Sequence, residues 1–317
     1  MGSFQSRDCP LCRSSKREML FNLEVDQFCR INWSYNTNYR MLLGIAEPKY
    51  FPIDRCLQCG FVYGRLLPTA EFLSKIYERV INDEIAEKAS WDFQDLARRL
   101  GYIGKLLRLM LDHDDRAVMD FGCGFGATTR LLADCGIKTV AYDLSQIRGE
   151  SVRKRCAEAV VASGLKDLEK NGPYTGIILD NVLEHVPDPD TVIKFIGGLL
   201  KRGAIVYLSV PSYEEENIRR LQKDIQRNRL SEMTLNPWEH LSYFDVGHLD
   251  GLMEKYKFEP LRRCEVPGPV EIGLRPESAP SRRIRNSIAS ARRLFSYAIS
   301  GTAVDGVGDR FYRYIGE

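Results

Sequence analysis

Residues Asp120 to Gly126 read Asp-Phe-Gly-Cys-Gly-Phe-Gly, directly after the apolar run Ala117-Val118-Met119. Glycines at alternate positions let a backbone leave a strand in a sharp turn and approach a ligand closely. A second short apolar pattern follows and ends at Asp143, where a carboxylate can grip two ribose hydroxyls. Together these features predict a nucleoside-binding α/β domain.

The glycine spacing narrows the ligand. Dinucleotide sites carry Gly-x-Gly-x-x-Gly and seat a pyrophosphate on the next helix N-terminus. Here the spacing is Gly-x-Gly-x-Gly with an acid in front. A leading carboxylate repels a pyrophosphate, but it accepts hydrogen bonds through water or pairs with an ammonium group. S-adenosyl-L-methionine has an ammonium, a sulfonium and no phosphate. The seven residues resemble motif I of the class I methyltransferases, a reading weighed against a nucleotide-binding or purely structural turn.

At 317 residues, the chain has room for a main domain plus an appendage. Its 45 basic and 43 acidic residues leave a net charge of +2, which argues against a dedicated duplex-binding protein without excluding a local basic patch. No apolar run approaches a membrane span and no secretory signal is visible, so a cytoplasmic protein without membrane contact is expected. Met1-Gly2 with Ser6 matches a myristoylation pattern, for which chance or a vector-derived scar is the favoured account.

Nine cysteines, an odd number without a secretion signal, argue against a disulfide framework. Four fall in two pairs, Cys9-Pro-Leu-Cys12 and Cys56-Leu-Gln-Cys59-Gly60, separated by 43 residues. Each pair can close half of a tetrahedral zinc site. A structural zinc ion on Cys9, Cys12, Cys56 and Cys59 is expected over free thiols or redox chemistry. Cys123, Cys135, Cys156 and Cys264 read as small buried residues, and Cys29 as a spectator.

The expected organisation is a zinc-binding segment (1–67), linking helices (68–111), a Rossmann-like α/β domain (112–265) and a C-terminal helical extension (266–317). The aromatics between Leu20 and Pro52, among them Phe21, Phe28, Trp33, Tyr35 and Tyr39, read as packing around a zinc-pinned ribbon, or as a lid with stacking surfaces. Thr69 reads as a helix N-cap before Phe72, Leu73, Ile76 and Tyr77. Leu96, Leu100, Ile103, Leu107 and Met110 form an apolar stripe on a second helix. Strand and helix patterns then alternate from Val118 to Val210, which implies a parallel sheet covered on both faces. Glu214 to Leu230 reads as a helical flap over the site, and Tyr256 to Leu261 as a late strand. The arginines between 275 and 293 suit a solvated helix face or a dimer contact better than a phosphate-binding tail.

Further segments carry the resemblance. Asn181-Val182-Leu183-Glu184-His185-Val186-Pro187-Asp188-Pro189 resembles the segment after the fourth strand of ubiquinone-type class I methyltransferases, and Pro237 to Phe244 a segment after the fifth. Two cysteine pairs ahead of such a domain are similar to the zinc-containing methyltransferases of sugar biosynthesis clusters. The resemblance implies that Asp120, Gly122, Cys123, Gly124 and Gly126 line the amino-acid half of S-adenosylmethionine. It places Asp143 on the ribose, Leu144 against adenine and Asn181 near the sulfonium. The region after the third strand, Ser163-Gly164-Leu165, lacks the acid that usually meets the adenine amino group. Relatives with Glu-x-x-Glu-His bind magnesium, but Asn181 stands where the first glutamate would be, which argues against a metal-assisted mechanism.

Methyl transfer to a hydroxyl or an acidic carbon needs a base. The four histidines are His113, His185, His240 and His248. His240 is the first candidate and His185 the second. Tyr243 is a phenol base or donor, and Glu239 orients His240 or pairs with an arginine. Each is weighed against a packing role. His113 is expected to face solvent and His248 to cap a helix near Asp245. The implied activity is methylation of a small molecule, a sugar or nucleotide-linked sugar, at carbon or oxygen. An RNA methyltransferase with a zinc recognition module is the alternative, and a cofactor-binding scaffold without activity a third reading.

Overall fold

The computed structural model describes residues 4–25, 49–73, 83–227, 239–262, 265–266 and 310–316. The N-terminal part contains β1 (Phe4–Ser6), β2 (Arg17–Glu24), β3 (Tyr50–Cys56), β4 (Val62–Gly64) and β5 (Leu66–Pro68). Helices α1 (Asp83–Ser90) and α2 (Phe93–Leu109) follow. The alternating unit begins with β6 (Ala117–Phe121), α3 (Ala127–Asp134), β7 (Lys138–Tyr142), α4 (Gln146–Arg155) and β8 (Val160–Val161). It continues through α5 (Leu165–Asn171), β9 (Tyr174–Asp180), α6 (Pro189–Gly197) and β10 (Leu200–Ser209). Then come α7 (Glu215–Gln226), β11 (Ser242–Tyr243), α8 (Val246–Lys255), β12 (Phe258–Pro260) and β13 (Arg310–Tyr314).

The seven-stranded sheet has the order β12-β13-β10-β9-β6-β7-β8. Its five strands from β10 to β8 are parallel, whereas β13 runs antiparallel to both β10 and β12. Every residue of β6 is buried, as are six of the seven in β9, the pattern of central strands covered on both faces. Strand order reverses at β6, which lies between β7 and β9. A crevice beyond the carboxyl ends of these strands is where such folds bind ligands. The Rossmann-like α/β expectation therefore holds. Residues 267–309 of the expected helical extension lie outside the described residues, and its described end is the strand β13.

Helix α2 starts where Asp92 accepts the Gln94 amide and packs on the sheet through Tyr102, Ile103, Leu106 and Met110, all buried. The expected stripe is thus shifted, because Leu100 is exposed and Tyr102 is turned inward. The Tyr102 ring stacks on Tyr207 of β10 with centroids 4.0 Å apart, and its hydroxyl has polar partners, so the aromatic can be buried where Leu100 is not. Thr69 caps the helical turn that begins at Ala70, as expected, its Oγ1 accepting the Phe72 amide at 3.3 Å. Ile76 and Tyr77 lie outside the described residues.

The N-terminal segment is not a detached module. Its antiparallel sheet has the order β11-β4-β3-β2, so a strand from beyond the alternating unit completes it. Leu23, Phe51, Ile53 and Val62 pack with Tyr213, Tyr243 and the α7 residues Ile218 and Leu221. Helix α7, expected as a flap, therefore rests on this sheet. Phe28, Cys29, Trp33, Tyr35 and Tyr39 lie outside the described residues. Among the described residues, no helix is long and apolar enough to cross a membrane.

Candidate active site

The turn after β6 is built by three glycines with positive φ: Gly122 (78°), Gly124 (54°) and Gly126 (86°). The amides of Gly122 and Cys123 both donate to the Tyr142 carbonyl, at 2.7 and 3.0 Å, which ties the turn to the end of β7. A Cβ at Gly122 would collide with Val182, and one at Gly126 would stand 2.8 Å from Val152. A Cβ at Gly124 would meet nothing within 4 Å, so this backbone faces open space. Its amide donates to Asp143 Oδ2 at 2.9 Å, while Asp143 Oδ1 accepts the Ser145 amide at 2.8 Å. Each carboxylate oxygen retains acceptor capacity. Leu144, next in sequence, is 78% exposed, an apolar side chain at the lip of the crevice. Asp120 lies beneath the turn, buried, and accepts the Thr129 hydroxyl at 2.6 Å. Burial pushes its carboxyl up to about 6, against the opposing Thr129 bond and the Arg99 charge.

The arginines beside this crevice escaped the sequence reading. Arg98 clamps Asp180, at the end of β9, with bonds of 2.9 and 2.7 Å. Arg99 reaches Thr128 Oγ1 at 2.6 Å and Asp180 Oδ2 at 3.3 Å, and Asp95 bridges both guanidinium groups. Burial opposes the ionised form of Asp180, but the Arg98 and Arg99 charges outweigh it and hold the carboxyl below its ordinary range. A paired arginine at i+3 and i+4 from an acid, beside a tyrosine, was the available signal. Asn181 follows with φ of 54°, and its side-chain amide donates to Asp180 Oδ1 at 3.2 Å.

A second group of candidates converges between β9 and β11. His185 and His240 stack edge to face with ring centroids 4.8 Å apart. His185 Nδ1 lies 3.0 Å from the Glu239 carbonyl, so the Glu239 backbone orients the His185 ring. His240 Nδ1 lies 3.5 Å from the Tyr213 hydroxyl. The donor atoms of Glu184, His185 and His240 are all within 4.8 Å of one another. Burial pushes the Tyr243 phenol well up, which leaves it protonated near neutral pH. Pro237 and Trp238 lie outside the described residues.

The four paired cysteines also come together. Cys9 Sγ and Cys59 Sγ are 3.6 Å apart, Cys12 Sγ and Cys56 Sγ 3.4 Å, and all four lie within 4.8 Å. Each pair closes one turn, with the Arg13 amide donating to the Cys9 carbonyl and the Gly60 amide to the Cys56 carbonyl, both at 2.9 Å. Arg13 and Gly60 both have positive φ, 63° and 84°. Burial pushes the Cys9 thiol up to about 11. At Cys56 burial acts the same way but amide bonds from Cys59 and Gln58 outweigh it, and the thiol falls to about 7. His248 Nε2 lies 2.8 Å from the Cys59 carbonyl and its Nδ1 2.7 Å from Asp245. His248 therefore links the helix cap, as expected, to the cysteine turn. Two other expectations fail. Cys135 is exposed, at the C-terminus of α3. His113 is half-buried, its Nε2 3.3 Å from the Gly203 carbonyl, because the loop before β6 folds against β10. Cys264 lies outside the described residues.

Replacing Asp180 by Asn should lower stability by about 3 kcal/mol at neutral pH, since it leaves two half-buried arginines short of a counter-charge. A carboxyl held below its unfolded value contributes stability above that value, and the contribution is lost as pH falls through the folded one. The gap between wild type and Asp180→Asn in urea unfolding should therefore narrow below about pH 4.

Residues 93–262 match the methyltransferase domain family. A ubiquinone biosynthesis O-methyltransferase of Xanthomonas oryzae pv. oryzae is 31% identical over 118 residues, which is 35% of this chain and 48% of that one. The chain thus spans about half the length of the relatives it matches. The plantazolicin methyltransferase BamL, solved with S-adenosylhomocysteine, superposes with a TM-score of 0.48 at 12% identity, over 74% of this chain and 90% of that one. The magnesium protoporphyrin IX methyltransferase of Synechocystis PCC 6803 gives 0.42 at 17% identity, over 56% and 85%. The glycine turn, the acid ending β7 and the match across more than half of the residues agree: the chain contains a class I S-adenosylmethionine-dependent methyltransferase domain and belongs to the methyltransferase domain family.

Proposed function

We propose that the protein transfers a methyl group from S-adenosylmethionine to a small-molecule acceptor, a sugar or nucleotide-linked sugar. The observation that carries the cofactor half is the open position at Gly124, flanked by Asp143 and by exposed Leu144. Asp143 has acceptor capacity left for ribose hydroxyls, and Leu144 offers adenine an apolar face. Asp120, Gly122, Cys123, Gly124 and Gly126 then surround the amino-acid end. The arginines at Asp180 supply positive charge for its carboxylate, and Asn181 sits near the sulfonium. The cofactor supplies a methyl group on a sulfonium whose departure leaves a neutral thioether.

The chain's own part is to align the acceptor and take its proton. His240 and His185, with Tyr243 and Glu239 beside them, are the groups proposed for that side. Their wall is closed by the N-terminal sheet through β11 and β4. The Xanthomonas relatives, named for O-methylation in ubiquinone biosynthesis, support an oxygen acceptor. The four cysteines fit a structural zinc ion: a tetrahedral ion with bonds of about 2.3 Å sets its sulfurs about 3.8 Å apart, close to the two spacings found. Four thiolates leave no open position, so the metal would hold the turns and not activate the acceptor.

Incubation with methyl-labelled cofactor and a panel of sugar nucleotides should place the label in a sugar; label appearing only in RNA would overturn the acceptor reading. Asp143→Ala should weaken S-adenosylhomocysteine binding by about 1.5–3 kcal/mol in calorimetry, and an unchanged affinity would remove the ribose assignment. Cys56→Ser should lower the zinc content found by elemental analysis. Full occupancy in that variant would count against the metal site.

A further inference from the structure

Glu184 is 1% exposed, and neither carboxylate oxygen has a hydrogen-bond partner among the described residues. Its backbone is fixed, because its carbonyl accepts the amides of Leu241 and Ser242 at 2.8 and 3.2 Å. Its Oε1 lies 3.7 Å from His185 Nε2. The other ring nitrogen, Nδ1, lies 3.0 Å from the Glu239 carbonyl. A carbonyl only accepts, so Nδ1 carries the hydrogen and Nε2 presents a lone pair. An ionised carboxylate would then face a lone pair in a buried site, with no donor between them. A proton held at this point removes the conflict.

We propose that Glu184 and His185 act as one proton-holding pair behind the acceptor site, with Glu184 the positioning residue that decides where the withdrawn proton rests. The proposal rests on the methyl-transfer reading above. In the deprotonated pair, the carboxylate is negative and the ring neutral. As the acceptor oxygen bonds to the methyl carbon, the carbon–sulfur bond breaks and its electron pair stays on sulfur. The acceptor's proton passes to the pair, which becomes a neutral acid beside a neutral ring, and later leaves to solvent. No imidazolium has to be buried.

The surrounding charges agree with this. Burial pushes the Glu184 carboxyl up to about 8 against the lowering effect of its own backbone amide, and the charges of Asp180 and Glu239 add to the rise. Burial, followed by His240, pushes His185 well below its ordinary value and outweighs the raising effect of the Glu239 carbonyl; Arg148 lowers it further. The pair therefore gains its base form as pH rises through the Glu184 titration, while an imidazolium is disfavoured throughout.

With only four histidines in the chain, ring resonances of the full-length, carbon-13 histidine-labelled protein can be followed from about pH 6 to about pH 9.5. The His185 resonance should inflect near pH 8 in the wild type and lose that inflection in Glu184→Gln, with the His248 curve the same in both proteins. An identical His185 curve in Glu184→Gln would overturn the pairing. If that variant does not fold, wild-type protein labelled at the glutamate carboxyl decides: one carboxyl titrating near pH 8 is expected, and none doing so overturns the proposal. Selective broadening of His185 and His240 by stoichiometric Mn2+ would also overturn it, since a cation would then occupy the proton's place. S-adenosylhomocysteine binding, measured separately by calorimetry, tests the methyl-transfer reading and leaves the titration result standing.

Discussion

Two amides, from Leu241 and Ser242, donate to one carbonyl, that of Glu184. This bifurcated contact joins the loop after β9 to the strand β11, and β11 in turn pairs with β4 of the N-terminal sheet. His185 follows Glu184 and His240 precedes Leu241, so the contact brings the backbones of the two histidines together. It also makes the cysteine turns part of the site's scaffold, because β3 ends at Cys56 and the Cys59 carbonyl is held by His248. Arg13 adds a link to Asp188 at the start of α6, its Nη2 donating to both carboxylate oxygens at 2.8 Å. The placement of these two histidines therefore depends on residues from the first 64 positions of the chain.

Three buried carboxyls near the strand ends show how neighbours decide the outcome of burial. Asp180 has two arginines and stays ionised below its ordinary range. Asp120 has a hydroxyl donor and a more distant arginine, and rises to about 6. Glu184 has neither, and rises to about 8. Burial is the largest influence on all three. Donor partners and neighbouring charges together separate the fixed counter-ion Asp180 from the two carboxyls whose burial is less fully offset.

The parts of this arrangement that could be read from sequence are local ones. The glycine turn and Asp143 lie on consecutive strands, and each cysteine pair is a single turn, so short patterns reveal them. The Arg98–Asp180 clamp joins residues 82 positions apart, and nothing in either segment names the other. Glu184 was visible as a letter beside His185, but its isolation from donors arises only from packing. Leu100 was misplaced because helical spacing allows adjacent faces, and the stack of Tyr102 on Tyr207 chose between them. Strand β13 was missed because the arginine-rich composition before it disguised a five-residue strand whose partners, β10 and β12, lie far upstream.

That strand has a consequence for biosynthesis. Among the described residues, β12 reaches the sheet only through β13, and β13 fills the slot beside β10. Phe311 packs on Tyr207, and the Tyr312 hydroxyl reaches Asp250 of α8 at 2.7 Å. A ribosome that has translated β6 to β10 has therefore made the ligand crevice but left one flank of its sheet open. Until Tyr314 has cleared the exit tunnel, the nascent domain carries an unpaired edge of the kind that invites mispairing. Closure must wait for the sheet's last strand, a long-range contact of the slow kind.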